Sequence, residues 1–439
     1  MSIFSGAGAR IQKSSITRGA VLRTFAAFSI AAVLACSGSS STDVASGGSS
    51  NPTSAGGAPA PTPTPTPTPT PVPTPAGPQL AGLSNGSVVA GQVSLSATVP
   101  AGTSQVEFQV DGGTIATLPS APFTATWDSF SVKNGAHALA VRATDGAGTA
   151  TASAPVQVNV TNKIDHVFVI LLENHDWSQI KGNSSAPYIN GTLLAQGAHA
   201  ENYQNVPNLH PSLPNYIWLE SGSNQGVTDD ATPSNHRLTT NQHLTALLNK
   251  AGVSWKSYQE DITGNQCPID YVGLYAPRHN PAVYFTDING GLDRNNADCI
   301  SHMRPYTELS RDLETDTVPT YSFITPNTCN DMHDSTGCAT TNSVRNGDTW
   351  LAREVPKILA SNAYKNGGAL FITWDESEGG NVPIGFIALS PLAKAGYSNT
   401  VRYTHSSTLR SLQTIFGVSP FLGDAANATD LSDLFRSFP

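Results

Sequence analysis

The sequence predicts a small all-β module followed by a large α/β domain with a mainly parallel central sheet. Residues 79–160 contain short alternating runs of apolar and polar residues, which predict antiparallel strands. Across residues 163–439, apolar runs typical of buried strands alternate with helical patterns, as in a parallel sheet covered by helices. Three of these apolar runs end abruptly in carboxylates and amides. They predict polar side chains at the carboxyl edge of the sheet, where open α/β folds place their sites.

Residues 1–36 have the features of an export signal. Basic residues precede an apolar run over 24–35, which is shorter than the ~20 residues that a membrane-spanning helix needs. The run ends Val33-Leu34-Ala35-Cys36, which resembles the bacterial lipoprotein cleavage box. The resemblance implies cleavage before Cys36 and lipid attachment to its thiol. We therefore expect a membrane-anchored lipoprotein at the cell surface or in the periplasm, with ordinary secretion as the alternative.

Residues 37–78 are predicted to be a disordered linker. The segment 37–57 is rich in serine and glycine, and the segment 58–76 alternates proline with threonine or alanine. Such a proline repeat favours an extended polyproline II spacer, which at ~3 Å per residue spans on the order of 60 Å over roughly twenty residues. The linker would therefore hold the following domains away from a surface.

The overall charge argues against one class of partner. The net charge is -9 at pH 7, so we do not expect binding to nucleic acid through a basic face. The low charged fraction, 13%, suits an exported protein.

The module at 79–160 contains turn signals such as DGG, KNG and DGAG between its alternating runs, which predict a β-sandwich. Its run from His137 to Asp145, HALAVRATD, resembles a late strand of bacterial immunoglobulin-like modules. The segment contains neither cysteine nor a cluster of catalytic type. We expect a spacer, with carbohydrate or cell-wall binding as the alternative.

The domain at 163–439 alternates predicted strands and helices. The strand candidates are 164–172, 254–259, 319–325, 368–374 and 384–390. The helix candidates are 213–221, 238–251, 346–361 and 406–416. The long connections at 222–237 and 260–318 are expected to shape a substrate pocket.

Four cysteines remain when Cys36 is assigned to lipid attachment. In an exported protein they imply two disulfides, for which three pairings exist. We predict the sequential pairing, Cys267–Cys299 and Cys329–Cys338. Free thiols or a zinc site are the alternatives, although the chain has no CxxC pair.

Acidic pairs follow two of the apolar runs. Glu173-Asn174 follows HVFVILL, and Asp375-Glu376 follows ALFITW. Adjacent carboxylates at buried strand ends repel each other unless a cation lies between them, and hard oxygen ligands suit a divalent metal. We predict a metal site at these four residues, with metal identity and number open. A solvated acidic loop is the alternative. For Asn174 a separate alternative is that it donates to a substrate oxygen instead of binding metal.

Ser212 begins a predicted helix within His210-Pro211-Ser212. One interpretation is that Ser212 is the N-cap, a position that serine favours. The other is that its hydroxyl is a nucleophile, because backbone N–H groups at a helix N-terminus hold phosphate and a nearby cation lowers the pKa of a hydroxyl. The adjacent His210 and the acidic strand ends favour the nucleophile.

Further candidate substrate ligands are histidines with charged neighbours. If Cys329 pairs with Cys338, the closed loop contains Asp331, His333 and Asp334, and His333 is the candidate acid for the leaving group. The remaining candidates for contact with a substrate are Arg278, His279 and His405. Any single histidine among them has a purely structural role as its alternative.

Six segments carry a resemblance to a known family. In order they are HVFVILLENHDW, HPSLPNYIWLESG, RHNP, ITPNTCNDMHD, ITWDES and YTHSSTLRSLQTIFG. Together they make residues 164–420 resemble the bacterial and fungal phosphoesterase family, which contains acid phosphatases and non-specific phospholipases C within the alkaline phosphatase-like superfamily. The resemblance implies an α/β sandwich and a serine nucleophile, here Ser212, that forms a phospho-enzyme. It places metal ligands or their partners at the two acidic pairs and histidines around the phosphoryl group.

The resemblance is nearer to the acid phosphatase branch. The phospholipase C branch is longer and usually reads ENRSFD where this chain has ENHDWS. We therefore predict an exported acid phosphatase that hydrolyses phosphate monoesters, including phosphoinositides, through a phosphoserine. Its expected partners are a small phosphorylated substrate or a phospholipid head group, a divalent metal, and a membrane reached through Cys36. The alternatives are a phospholipase C-like phosphodiesterase and a non-enzymatic adhesin or wall-binding protein.

Overall fold

The structure is a computed structural model that describes residues 77–439. The predicted export signal at 1–36, the lipidation site Cys36 and nearly all of the linker at 37–78 lie outside the described residues and stay predictions. Within the described part of the chain, no helix combines the length and the apolar character needed to cross a bilayer.

The predicted all-β module is confirmed. Its strands are β1 (Gln79–Ala81), β2 (Ser87–Val89), β3 (Gln92–Thr98), β4 (Thr103–Val110), β5 (Gly113–Leu118), β6 (Thr124–Asp128), β7 (Gly135–Asp145), β8 (Ala150–Ala152) and β9 (Val156–Val160). One sheet has the order β1-β3-β6; the other has the order β2-β9-β7-β4-β5, with β8 paired to β7. Alternate residues such as Val106, Phe108 and Val141 are buried in a core that includes Trp127.

The α/β domain contains ten strands and ten α-helices among the described residues. The strands are β10 (Val167–Leu172), β11 (Ala198–Ala200), β12 (Tyr203–Gln204), β13 (Trp255–Gln259), β14 (Met303–Pro305), β15 (Tyr321–Thr325), β16 (Ala369–Trp374), β17 (Phe386–Leu389), β18 (Ser398–Asn399) and β19 (Tyr403–Thr404). The helices are α1 (Trp177–Ile180), α2 (Leu194–Gln196), α3 (Ser212–Ser221), α4 (Leu244–Ala251), α5 (Thr286–Asn289), α6 (Ala297–His302), α7 (Thr307–Glu314), α8 (Ser343–Ala360), α9 (Asn362–Lys365) and α10 (His405–Phe416).

The central sheet is mainly parallel, as predicted. Its order is β14-β13-β15-β10-β16-β17-β11-β18. The first five strands in that order run parallel, and β17 is antiparallel to both of its neighbours. Every residue of β10, β15 and β16 is buried, which explains why their sequences are mainly apolar rather than alternating.

The sheet order brings the predicted polar strand ends together. Strand β10 lies between β15 and β16 and runs parallel to both. Leu172 at the end of β10 is paired with Trp374 at the end of β16. Glu173 and Asp375 therefore leave the sheet at the same level, beside the segment that follows β15.

Two predicted helix starts differ from the observed ones because capping side chains determine them. The helix predicted from 238 begins at Leu244, where the ring of His243 accepts a hydrogen bond from the Ala246 N–H. The helix predicted from 346 begins at Ser343, where the Asn342 side chain accepts one from the Arg345 N–H. A cap that satisfies a free backbone N–H determines where each helix starts.

Both predicted disulfides are confirmed. Cys267 is bonded to Cys299, and Cys329 to Cys338. The second bond closes the loop that follows β15 and contains Asp331 and His333.

Polar contacts attach the β module to the α/β domain. Arg436 Nη2 lies 2.8 Å from Asp128 Oδ2. The Asn162 side-chain oxygen accepts hydrogen bonds from the Ser129 hydroxyl and the Gly91 N–H, and its carbonyl accepts one from the Ser437 hydroxyl. The predicted spacer role of the module, and its alternative of wall or carbohydrate contact, stay predictions.

Candidate active site

The nucleophile candidate lies among the strand-end carboxylates. The Ser212 hydroxyl donates to Glu173 Oε2 at 2.9 Å, and the Ser212 Oγ also lies 3.3 Å from Asn174 Oδ1. Asp375 is also nearby: burial and the charge of Glu376 raise its pKa, and the Ser212 hydroxyl partly offsets that rise. Ser212 is only 2% exposed and Glu173 is 0% exposed. The two strand ends and the start of α3 thus converge on one hydroxyl oxygen.

Ser212 is not the N-cap of its helix, which corrects one of its two interpretations. Pro211 occupies the N-cap position, and Ser212 is the first residue of α3. The first turn is capped from outside the helix, because the Leu213 N–H donates to Asp230 Oδ1 at 2.9 Å. The hydroxyl of Ser212 therefore does not cap the helix and donates its hydrogen bond to Glu173 instead.

Backbone bonds hold the acidic pairs in place. The Asp375 N–H donates to the Leu172 carbonyl at 2.9 Å, and the Asn174 N–H donates to Asp375 Oδ1 at 3.0 Å. The Asn174 amide then donates to Glu376 Oε1 at 3.2 Å. These bonds link β10 to β16 beyond the end of the sheet and set the spacing of the carboxylates.

The pKa values of the carboxyl groups report an electrostatic conflict. Burial and then the charge of Asp375 raise the pKa of Glu173 well above its usual value. Burial and then the charge of Glu376 do the same for Asp375. Burial, Glu173 and Asp230 raise the pKa of Glu376 to about 8. Two like charges about 4 Å apart repel each other by on the order of 4 kcal/mol at an effective dielectric constant of 20. This repulsion exceeds the net stabilisation that one hydrogen bond contributes.

His279 lies between two of the buried acids. Its Nε2 is 3.2 Å from Glu173 Oε1, and its Nδ1 is 3.3 Å from Asp331 Oδ2. Burial, then the charges of Arg278 and His333, lower the pKa of His279 well below its usual value, so the ring is neutral. A neutral imidazole has one N–H and cannot donate to both acids. Within residues 77–439, His279 Nε2 and Asp331 Oδ2 are buried without a hydrogen-bond partner despite these short distances.

This excess of acceptors fits a metal ion. Glu173, His279 and Asp331 each offer a ligand atom, and the three atoms lie within 4.8 Å of one another. Asp375 Oδ2 is a further buried oxygen without a hydrogen-bond partner. Carboxylate oxygens with an imidazole nitrogen suit a divalent cation, which would satisfy these atoms and offset their repulsion.

The candidate ligand set is therefore wider than predicted. Sequence analysis assigned Glu173, Asn174, Asp375 and Glu376 to the metal and placed His279 and Asp331 at the substrate. The structure joins His279 and Asp331 to Glu173 in one buried group. Glu173 contacts both this group and Ser212, so it connects the metal candidates to the nucleophile.

The remaining predicted residues each contact a different acidic side chain near the site. His210 Nδ1 lies 2.6 Å from Glu376 Oε2, and its Nε2 is buried without a hydrogen-bond partner. His333 is partly exposed and pairs through Nδ1 with Asp334 Oδ1 at 2.8 Å. Arg278 Nε lies 3.8 Å from Asp230 Oδ2. These residues border the carboxylate group.

His405 is not placed with the substrate-binding candidates. It is 0% exposed, its Nε2 donates to the Asp375 carbonyl at 2.5 Å, and its Nδ1 lies 3.1 Å from the Tyr203 hydroxyl. With both ring nitrogens engaged, His405 has none left for a substrate. It supports the backbone of Asp375 instead.

Three residues of the site were not predicted. The Tyr216 hydroxyl donates to Glu173 Oε1, and the Asn215 amide donates to Glu376 Oε2 at 3.0 Å. Both follow Ser212 by three or four positions, a spacing that places side chains on one helix face, so the pattern could have identified them. Asp230 lies in a loop eighteen positions after Ser212, and no local pattern indicates it.

Removing metal should make the stability of the protein depend on pH in a defined direction. A carboxyl whose pKa is raised by folding binds more protons in the folded state than in the unfolded chain, so stability falls as pH rises between the two values. For Glu376 that pH window runs from the ordinary pKa of 4.5 to about 8. We expect the thermal unfolding midpoint of chelator-treated protein to fall across this window, and added divalent metal to remove most of the fall.

The measurement is differential scanning fluorimetry with and without chelator, and Glu376→Gln serves as the matched variant. The variant should flatten part of the decline in the chelated protein. A chelated wild-type protein whose midpoint stays level or rises from pH 4.5 to pH 8 would contradict the expectation.

Together, the fold and this site define a hydrolase that acts on phosphoric ester bonds. The comparisons with known proteins support the class: the model of the Phosphoesterase family matches residues 192–419, more than half of the 439 residues. The chain therefore belongs to the Phosphoesterase family. A Bacterial Ig domain model matches residues 80–141.

Two relatives are similar over most of the α/β domain. A phosphatidylinositol-3-phosphatase of Mycobacterium tuberculosis is 32% identical over 273 residues, which are 62% of this chain and 82% of the relative. A probable acid phosphatase of Kluyveromyces lactis is 28% identical over 318 residues, 66% of this chain and 69% of the relative. The solved human ectonucleotide pyrophosphatase/phosphodiesterase 5 matches 62% of this chain and 100% of that chain, with a TM-score of 0.41 and 11% identity, too low to support an argument.

Proposed function

We propose that the protein is an exported acid phosphatase that hydrolyses phosphate monoesters through a phosphoserine at Ser212. The observation that carries the proposal is the hydroxyl of Ser212, 2.9 Å from Glu173 Oε2 at the carboxyl edge of a parallel sheet. Two relatives named as a phosphatidylinositol-3-phosphatase and a probable acid phosphatase support monoester hydrolysis. A divalent metal at this site would supply electrostatic stabilisation of the phosphoryl oxygens and lower the pKa of the hydroxyl.

In the first half of the reaction, Ser212 Oγ attacks phosphorus while the bond from phosphorus to the alcohol oxygen breaks. The proton of the hydroxyl passes to Glu173, which already accepts its hydrogen bond. His333 donates a proton to the departing alcohol oxygen. Asp334 at 2.8 Å holds the Nδ1 side of that ring, so Nε2 is the nitrogen available for the transfer.

In the second half, water attacks the phosphoserine from the side that the alcohol has left. His333, now neutral, accepts a proton from the water, and Ser212 Oγ leaves and regains its proton from Glu173. Arg278 supplies positive charge for the phosphoryl oxygens, because a guanidinium stays protonated throughout the working pH range. The net charge of -9 opposes the approach of an anionic substrate, and Arg278, the histidines and a bound metal would offset it locally.

The proposal predicts a trappable phosphoserine and a preference for monoesters. Acid quenching during turnover of a chromogenic phosphomonoester should yield a phosphorylated peptide that contains Ser212, detected by mass spectrometry. At matched concentrations, phosphate release from the monoester should exceed cleavage of a choline phosphodiester by at least about tenfold, a difference of about 1.4 kcal/mol in activation free energy.

Faster cleavage of the diester would instead favour the phospholipase C-like alternative. Absence of hydrolysis with either substrate, together with specific binding of cell-wall material by residues 79–160, would favour the adhesin. We also propose export and anchoring through Cys36, which the two disulfides support because such bonds persist in oxidising compartments. Radiolabelled palmitate incorporation that is lost in Cys36→Ala would test the anchor.

A further inference from the structure

A third strand of the central sheet is followed directly by a carboxylate. Strand β13 ends at Gln259, and Glu260 comes next. Gln259 is paired with Thr325 at the end of β15, and the Glu260 N–H donates to the Thr325 carbonyl at 3.2 Å. Glu260 therefore leaves the sheet beside residues 327–338, which we call the β15 loop. This is the loop that the second disulfide closes.

Three N–H groups converge on the carboxylate of Glu260. Its Oε2 accepts the backbone N–H of Asn327 at 2.9 Å and the side-chain amide of Asn330 at 2.8 Å. Its Oε1 accepts the indole N–H of Trp350, on α8, at 2.8 Å. A carboxylate has two acceptor oxygens and no N–H, whereas the amide of glutamine would place an N–H against at least one of these donors. Glu260 thus joins the start of the β15 loop to α8.

Hydrogen bonds continue from this anchor into the active site. The Asn327 carbonyl accepts the N–H of Asp331 at 2.9 Å. The Asp331 carbonyl accepts the N–H of Glu173 at 2.8 Å, and Asp331 Oδ1 accepts the N–H of His333 at 2.8 Å. The other oxygen of Asp331 is the one that faces the candidate ligand group. A continuous series of contacts therefore runs from Glu260 through Asn327 to the residues that carry the proposed chemistry.

The backbone of the β15 loop is strained where it passes the site. Met332, between Asp331 and His333, has a φ of 80°, in the left-handed region that residues with a Cβ rarely adopt. Such a conformation costs free energy and persists only where surrounding contacts impose it. Met332 is 0% exposed, and its side chain packs against Gly347 of α8, where an added Cβ would lie 2.3 Å from Met332 Cγ. The loop therefore depends on contacts from outside it, and Glu260 provides three of them.

We propose that Glu260 is a positioning residue of the active site, which holds the β15 loop so that Asp331 reaches the candidate ligand group and His333 faces the departing alcohol. The role rests on the proposed function, because it acts through the residues to which that function assigns metal binding and proton transfer. A glutamate with a purely structural role would contribute to stability and leave metal affinity unchanged. A positioning residue sets metal affinity as well, because side chains that orient metal ligands determine how tightly the metal binds.

The test is Glu260→Gln, which keeps the shape of the side chain and removes one acceptor oxygen. Glu354→Gln is the matched control. Glu354 is 3% exposed, and its carboxylate also accepts hydrogen bonds from three side chains, those of Tyr306, Arg353 and Lys357. None of these three belongs to the β15 loop. Chelator-treated protein is titrated by calorimetry with Mn²⁺ and, separately, with Zn²⁺, well below the unfolding midpoint of each variant.

We expect Glu260→Gln to raise the Kd of the tighter-binding ion at least about tenfold, because Asp331 is no longer held at the ligand group. The metal concentration that gives half-maximal phosphate release should rise by a similar factor. Glu354→Gln should lower the thermal unfolding midpoint and keep the wild-type Kd. A wild-type Kd in Glu260→Gln, or an equal rise of the Kd in both variants, would overturn the positioning role.

A second variant approaches the same contact from the loop. Asn330→Ala removes the amide that Glu260 accepts, so it tests the role even where Glu260→Gln does not fold. It should raise the metal Kd as well. The double variant should raise the Kd by less than the product of the two separate factors, because both substitutions break one contact. A rise equal to that product would show that the two residues act independently and would count against the role.

The metal titration needs no substrate, so it separates this role from the proposed function. If Glu260→Gln binds metal more weakly while wild type releases no phosphate, the proposed function fails and the positioning role stands. If wild type releases phosphate and Glu260→Gln binds metal as wild type does, the function stands and the positioning role fails. A wild-type protein that binds neither ion also overturns the positioning role.

Discussion

Replacing Ser212 by alanine is expected to remove nearly all phosphate release, with a fall in kcat of about 10³- to 10⁶-fold, as for other hydrolases that lose their nucleophile. In the proposed mechanism this hydroxyl is the atom that attacks the substrate, and without it no phosphoserine forms for water to hydrolyse. Binding of the substrate should persist, since the neighbouring carboxylates, Arg278 and the histidines remain. The measurement is phosphate release from a chromogenic phosphomonoester, with the inhibition constant of inorganic phosphate as the readout of binding.

Ser221→Ala is the matched control for that experiment. Ser221 is the last residue of the same helix, is also 2% exposed, and donates its hydroxyl to backbone carbonyls. Its loss should leave turnover within a few-fold of wild type. Unchanged turnover in Ser212→Ala would remove the nucleophile assignment, whereas full activity of wild type in chelator would remove only the metal requirement.

Asp375→Asn is expected to produce effects of opposite sign on activity and stability. Asparagine has nearly the same shape as aspartate and keeps the Oδ1 atom that accepts the Asn174 N–H. Its amide nitrogen replaces Oδ2, which has no hydrogen-bond partner among the described residues. It removes one negative charge from a group in which burial and Glu376 already raise the pKa of Asp375. The metal-free variant should therefore be more stable than metal-free wild type, by about 1–3 kcal/mol.

The same substitution should lower kcat/KM at least about 10²-fold, because the candidate metal group loses an anionic oxygen beside the nucleophile. The measurements are urea unfolding in chelator, phosphatase kinetics with metal, and metal content by mass spectrometry. A variant that keeps both wild-type activity and wild-type metal content would contradict a role for Asp375 at the metal.

Asp348→Asn is the matched control for the stability measurement. Asp348 is also buried, but its two oxygens accept hydrogen bonds from the Tyr188 and Ile189 N–H groups. In Asp348→Asn, one of the two backbone N–H groups loses its acceptor oxygen, so the variant should be less stable than wild type by about 1–3 kcal/mol. Its phosphatase activity should be unchanged. If both variants are destabilised equally, the electrostatic conflict inferred around Asp375 is absent.

The residues at the strand ends could be predicted from local sequence patterns. An apolar run that stops at a carboxylate identifies both a buried strand and the residue that leaves it, so Glu173 and Asp375 were predictable. Their meeting with Ser212 was predictable as a class, since parallel strands share one carboxyl edge. The cysteine pairing was also predicted, although the count alone allowed three pairings.

Other features depended on contacts between distant segments. Nothing near His405 in the chain indicates that its ring supports the carbonyl of Asp375, thirty residues earlier. The capping of α3 by Asp230, and the grouping of His279 and Asp331 with Glu173, likewise depend on how long loops return to the sheet edge. Short patterns report periodicity and caps, and they do not report which loop covers which strand.

The sequence by itself determined the two-module organisation, the identity of the strands, and the carboxylates, amides and serine of the candidate site, because burial and backbone hydrogen bonding impose local patterns on the chain. Only the tertiary structure decided which of these side chains share a candidate ligand group, which histidine is buried as a support, and which acids surround the hydroxyl of Ser212. Those outcomes depend on strand order and loop packing, which are set by contacts between residues far apart in the chain.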